Sequence, residues 1–89
     1  MKKKLFDLSG KVSLITGGNG GIGLGIAEGL VSCGCKVAIW GRNKEKNKLA
    51  KKLLSQYGTK VETYEVDVSQ EDKVKKKTIE VINDFGRID

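Results

Sequence analysis

Six glycines fall among residues 17–25, where Gly17, Gly18, Gly20, Gly21, Gly23 and Gly25 are separated only by Asn19, Ile22 and Leu24. Directly before them stands the apolar run Val12-Ser13-Leu14-Ile15-Thr16. Glycine at this density lets a chain turn sharply and bring its backbone against a phosphate, where any Cβ would collide. The amides that open the next helix then point at that anion. A short strand that empties into such a loop, and then into a helix, reads as the first turn of a dinucleotide-binding βαβ unit. A flexible linker would not sit between an apolar strand and an amphipathic helix. Gly18, Gly20 and Gly23 satisfy G-x-G-x-x-G, a weak pattern in a chain with 12 glycines. A second candidate follows the next apolar run, in Trp40-Gly41-Arg42-Asn43. A dinucleotide fold meets the adenosine ribose there, with an acid for a 2′-hydroxyl or a base for a 2′-phosphate. Arg42 can pair with a phosphate through two hydrogen bonds, which favours NADP(H); an ordinary solvated strand-end residue is the plainer reading.

Regular elements must position these residues. Lys11 to Thr16 reads as a buried strand bounded by Gly10 and Gly17. Ile22, Ile26, Ala27, Leu30 and Val31 recur at helical spacing, and Gly34 suits the helix end. Val37-Ala38-Ile39-Trp40 has the continuous apolar character of a strand covered on both faces. Asn43 is placed to cap a second helix, with Leu49, Ala50, Leu53, Leu54 and Tyr57 inward and Gly58 at its end. Val61 to Val66 reads as a third, less apolar strand. Ser69, with Asp72 three residues on, marks the last helix start. Val74, Thr78, Val81, Ile82 and Phe85 form its inner stripe, and Gly86 closes it. The order is βαβαβα, and right-handed crossovers place the strands 3-2-1.

The 89 residues allow one domain, burying about 60–65% of the unfolded surface. The absence of proline agrees with densely regular structure. No apolar run reaches about 18–20 residues, which argues against a membrane span. Leu5-Phe6-Asp7-Leu8-Ser9-Gly10-Lys11 interrupts any signal-like run after the basic start, so a cytoplasmic protein is expected. There is no histidine, and Cys33 and Cys35 are too few and too close for a metal site or an ordinary disulfide. They read as buried small residues at a helix-to-strand junction. The 17 basic and 11 acidic residues give +6. The lysines at 44–52 and 73–77 read as solvated helix faces without interleaved aromatics, which disfavours nucleic acid as a partner.

Thr16-Gly17-Gly18-Asn19-Gly20-Gly21-Ile22-Gly23 fits T-G-x-x-x-G-x-G and resembles the cofactor loop of the short-chain dehydrogenase/reductase family. The resemblance covers nearly all 89 residues and implies a Rossmann-type half of a doubly wound α/β sheet, with residues 1–9 as lead-in. Thr16, Gly17, Gly21 and Gly23 are the matched positions, with Ile22 the usual apolar residue, while Asn19 and Gly20 would lend amides near the pyrophosphate. Gly41 stands where NAD-preferring members carry an acid, and Arg42 and Asn43 follow. The loop, however, has Gly20 where NADP-preferring members often carry a second base, so NAD(H) stays open. Asp67-Val68 resembles the acidic–aliphatic pair that contacts adenine; a plain turn is the alternative.

The family's Tyr-x-x-x-Lys pair, its preceding serine and its Asn-Asn-Ala-Gly segment are absent from these residues. Tyr57 and Lys60 have the wrong spacing, so no catalytic residue is assigned. Gly86-Arg87-Ile88-Asp89 is similar to the family's lead-in to its fourth strand. The expected function is therefore the NAD(P)(H)-binding portion of an oxidoreductase acting on a carbonyl or alcohol of sugar-acid, polyol or oxoacyl type. A non-catalytic nucleotide-binding module ending at Asp89 is the alternative. Without a fourth strand, the first strand would show an open edge, for which a homo-oligomer or edge-to-edge association is expected.

Overall fold

The structure, a computed structural model, describes residues 7–17 and 20–89. The elements alternate as β1 (Val12–Thr16), α1 (Gly21–Ser32), β2 (Lys36–Gly41), α2 (Lys44–Ser55), β3 (Val61–Glu65) and α3 (Glu71–Phe85). The three strands are parallel, with β2 between its neighbours, which is the expected 3-2-1 order. Register pairs Thr16 with Trp40 and Gly41 with Glu65, so the strands end together on one side of the sheet. The loops that carry the candidate residues leave from that side. Among the described residues, no helix is long and apolar enough to cross a membrane.

β2 is buried from Val37 to Gly41, as its unbroken apolar run requires. Its side chains alternate between two cores. Val37 and Ile39 pack with Ala27 and Val31 of α1 and with Ala50 and Leu54 of α2. Ala38 and Trp40 pack with Tyr64, Val66 and Val81 on the α3 side. Tyr64 is buried there, and its hydroxyl donates to Asp84 Oδ2 at 2.6 Å. Burial, reinforced by that carboxylate, pushes the phenol well above its ordinary range.

Several inward faces differ from the sequence expectation. In α1, Ala27 and Val31 are buried, but Ile22 and Ile26 are exposed. This helix meets the sheet mainly through its second half, and its opening turns lie beyond the end of β1. In α2 the buried stripe is Asn47, Ala50 and Leu54, while Leu49, Leu53 and Tyr57 face outward. Ile82 of α3 is exposed. The true stripes are narrower than the apolar patterns because a three-stranded sheet covers only part of each helix.

Ser69 does not cap α3. The cap position is Gln70, without a side-chain hydrogen bond, and Ser69 turns back to Asp67. Asn43 caps α2 as expected, its Oδ1 accepting from Lys46 N at 3.0 Å. Cys35 is buried and Cys33 half-buried; both are free thiols. Gly34 has φ +92°, and a Cβ there would meet Ser9 Oγ at 2.9 Å, so glycine lets the lead-in pack against the α1–β2 turn, where Leu8 N donates to Cys33 O at 2.8 Å. At the outer edge of β1, Asp89 N donates to Val12 O, and Val12 N donates to Asp89 Oδ2, both at 2.8 Å.

Candidate cofactor site

A cavity of about 420 Å³ opens where the strands end. Thr16 and Gly17 enter it from β1, and Trp40, Gly41 and Arg42 from β2. Asn43 and Lys46 come from the start of α2, and Val66 and Val68 from the segment after β3. Topology puts these residues together, because each right-handed crossover returns the chain to the same sheet edge. Five expected site residues, Thr16, Gly17, Arg42, Asn43 and Val68, share this cavity.

The start of α1 differs from that of α2, which Asn43 caps, and from that of α3, which has no side-chain cap but carries Glu71 and Asp72 in its first turn. Gly20 is extended at its cap position and supplies no side-chain hydrogen bond, and the first turn carries no acid. With no cap side chain at Gly20, the backbone amides opening α1 can donate to an external acceptor. Gly17 and Gly21 have φ of +69° and +56°, a region that L side chains rarely adopt. Apart from the adjoining residues and the helix's own backbone, no described atom lies within 4 Å of where a Cβ would stand at Gly17, Gly20 or Gly21. This open cradle, beside uncapped amides, fits a pyrophosphate. Gly21, Ile22 and Gly23 form the first turn of α1, outside the cavity wall. Asn19 and Gly18 lie outside the described residues.

The start of α2 is closed by its own side chains. Asn47 is buried, and its Nδ2 donates to Gly41 O at 3.0 Å and to Tyr64 O at 3.3 Å. One amide thus ties the first turn of α2 to the ends of both β2 and β3. Arg42 and Lys46 are exposed cations on the cavity wall, and no acidic residue lines it among the described residues. The wall suits an anion.

A neighbouring cavity of about 400 Å³ shares Arg42 and Val66 with the first and adds Glu65, Asp67, Lys73 and Lys77. The expected Asp67–Val68 pair therefore straddles two cavities. Asp67 Oδ1 accepts from Ser69 Oγ at 2.7 Å and from Ser69 N at 3.0 Å. These hydrogen bonds, aided by the charges of Arg42 and Lys73, hold the carboxyl below its ordinary range. Asp67 is ionised at neutral pH, with one oxygen already engaged.

Sequence reasoning missed Lys46, Asn47 and Trp40 as parts of the site. The cap at Asn43 was a usable signal for Lys46, because a residue three positions into a helix leans back over its N-terminus. For Asn47 there was none, since a polar residue on an apolar stripe gives no hint of its carbonyl partners.

The sequence profile of the short chain dehydrogenase family matches residues 11–89. A sorbose reductase of Candida albicans is 41% identical over 85 residues, covering 96% of this chain and 30% of that protein. A probable NADP-dependent mannitol dehydrogenase of Yarrowia lipolytica is 37% identical, over 94% of this chain and 30% of its own length. Among solved structures, an NAD+-bound xylitol dehydrogenase superposes with a TM-score of 0.90 at 36% identity, covering 97% of this chain and 32% of that one. The chain spans about a third of the length of these proteins. With the glycine cradle and the parallel three-stranded unit, these matches establish that the chain belongs to the short-chain dehydrogenase family.

Proposed function

We propose that this chain is the cofactor-binding part of an NADP(H)-dependent, cytoplasmic reductase or alcohol dehydrogenase, with a ketose–polyol pair as its substrate class. The carrying observation is the cavity at the end of β2, where Arg42 stands beside Gly41 on a wall without acids. The charged groups of this wall, Arg42 and Lys46, are both cations and attract a 2′-phosphate. The names of the two relatives above support a sugar or polyol substrate, and that of the Yarrowia lipolytica protein supports NADP.

In this reading, the amides opening α1 and the cradle at Gly17, Gly20 and Gly21 hold the pyrophosphate. Arg42 takes the 2′-phosphate, Asn43 the ribose edge, and Val68 packs on the adenine while Asp67 accepts from its amine. The bound nicotinamide supplies the hydride acceptor or donor; the chain supplies position and electrostatics. The resemblance to the family assigns proton transfer to a Tyr-x-x-x-Lys pair, which these 89 residues do not contain.

Arg42→Ala tests the cofactor choice. It is expected to weaken NADPH by roughly 10- to 100-fold, the value of a charge-assisted phosphate contact, and to leave NADH nearly unchanged. Equal losses for both cofactors would overturn the assignment. For the substrate, NADPH consumption by the polypeptide that carries this chain should be faster with ketoses than with a 3-oxoacyl thioester. The reverse ranking would replace the polyol class by the oxoacyl one.

A further inference from the structure

Two cations face the cavity at the end of β2, and they are not equivalent. Arg42 also lines the neighbouring cavity, whose wall carries Glu65 and Asp67 together with Lys73 and Lys77. Arg42 is therefore shared between a wall with two carboxylates and a wall with none. Asp67, held ionised chiefly by Ser69, also feels the charge of Arg42. Lys46 lines the first cavity only. The ion pairs among the described residues use Lys51, Lys75, Lys77 and Arg87, and Lys46 is in none of them.

Its placement is fixed from both sides. The Lys46 amide donates to Asn43 Oδ1 at 3.0 Å, and the next residue, Asn47, is buried and bonded to the ends of β2 and β3. A helical side chain leans toward its helix N-terminus, which here opens on the cavity. The glycine loop brings no cation of its own, because residues 17–25 are uncharged. A phosphate monoester carries between one and two negative charges at neutral pH and has three acceptor oxygens, more than one guanidinium fork can satisfy.

We propose that Lys46 is a second specificity-determining cation of this site, joining Arg42 on the 2′-phosphate of the cofactor. The proposal rests on the NADP(H) reading above. Arg42 takes two phosphate oxygens through its planar fork, and the Lys46 ammonium takes the third from the helix side. Loss of Lys46 then weakens only ligands that carry the 2′-phosphate.

The test measures dissociation constants for 2′,5′-ADP and 5′-AMP by calorimetry, and by the fluorescence of Trp40, the one tryptophan of the chain and part of the cavity wall. Lys46→Gln is expected to weaken 2′,5′-ADP about 10-fold while leaving 5′-AMP within about twofold. Lys46→Arg should restore most of the loss, and Lys48→Gln, on the same helix but off the cavity wall, should change neither. A loss below about twofold for 2′,5′-ADP with Lys46→Gln, or equal losses for both ligands, would overturn the role of Lys46. If Arg42→Ala still discriminates between the two ligands in that case, the NADP(H) reading stands without Lys46. If wild type binds both ligands equally and neither variant discriminates, the NADP(H) reading falls as well.

Discussion

The helices α1 and α2 begin at the same end of the sheet, yet their first turns are built in opposite ways. α1 opens on glycine, without a side-chain cap or an acid in its first turn. α2 opens on Asn43, which accepts from Lys46 N, carries Glu45 in its first turn, and is tied down by the buried Asn47. Amides at a helix start that no side chain caps can donate to an anionic ligand. A helix that satisfies its own end can only recognise a ligand through its side chains. In the proposed function, the pyrophosphate end of the site is made of backbone and would serve any dinucleotide, whereas the ribose end is made of Arg42 and Lys46 and would discriminate.

Giving α1 the kind of cap that α2 has would break this contrast most severely. Gly20→Asp places a carboxylate at the amides that open α1. Stability should hold or rise by a few tenths of a kcal/mol, while dinucleotide affinity falls by roughly 100-fold or more, because the new charge competes with and repels the pyrophosphate. Thermal melts and calorimetric titration of one sample would show these opposite signs. At the α2 end the largest effect should be on folding. Asn47→Asp replaces a buried donor to two carbonyls with a buried charge, and should cost about 3 kcal/mol or more in urea unfolding. Asn43→Ala removes the cap and should cost about 1 kcal/mol while loosening the register of Lys46.

The smallest effect concerns pH. Asp67 and Asp89 are both held below the ordinary carboxyl range, Asp67 chiefly by Ser69 and Asp89 chiefly by the Val12 amide and then by Arg87. Their folded-state values are depressed, so their contribution is present above about pH 4, the unfolded value. It is lost as pH falls through the lower folded values. Acid unfolding of Asp89→Asn, followed by circular dichroism, should begin from a lower plateau and show a shallower loss than wild type below that pH.

The sequence displayed the backbone half of the site more clearly than the side-chain half. The glycine spacing, the apolar strand before it and the β2 run are local patterns that support one another, and the strand order follows from crossover handedness. Arg42 and Asn43 were legible because they follow β2 directly. Asn47 and the exposure of Ile22, Ile26 and Leu49 were not, because they depend on how much of each helix a sheet of three strands reaches. Helical periodicity marks which residues share a face, and only packing decides how wide the covered part of that face is. Ser69 shows the same limit: it has the chemistry of a cap, but α3 begins one residue too late for it, with Gln70 at the cap position, and its hydroxyl donates to Asp67 instead.

Amide chemical-shift perturbation on the 15N-labelled chain, titrated with NADPH and then with NADH, tests the central claim most directly. Both cofactors should move the amides of residues 17 and 20–23, and NADPH alone should also move those of Arg42, Asn43 and Lys46. Shifts confined to α3, or the same pattern at residues 42–46 with either cofactor, would contradict the division of the site into a backbone end that binds and a side-chain end that discriminates.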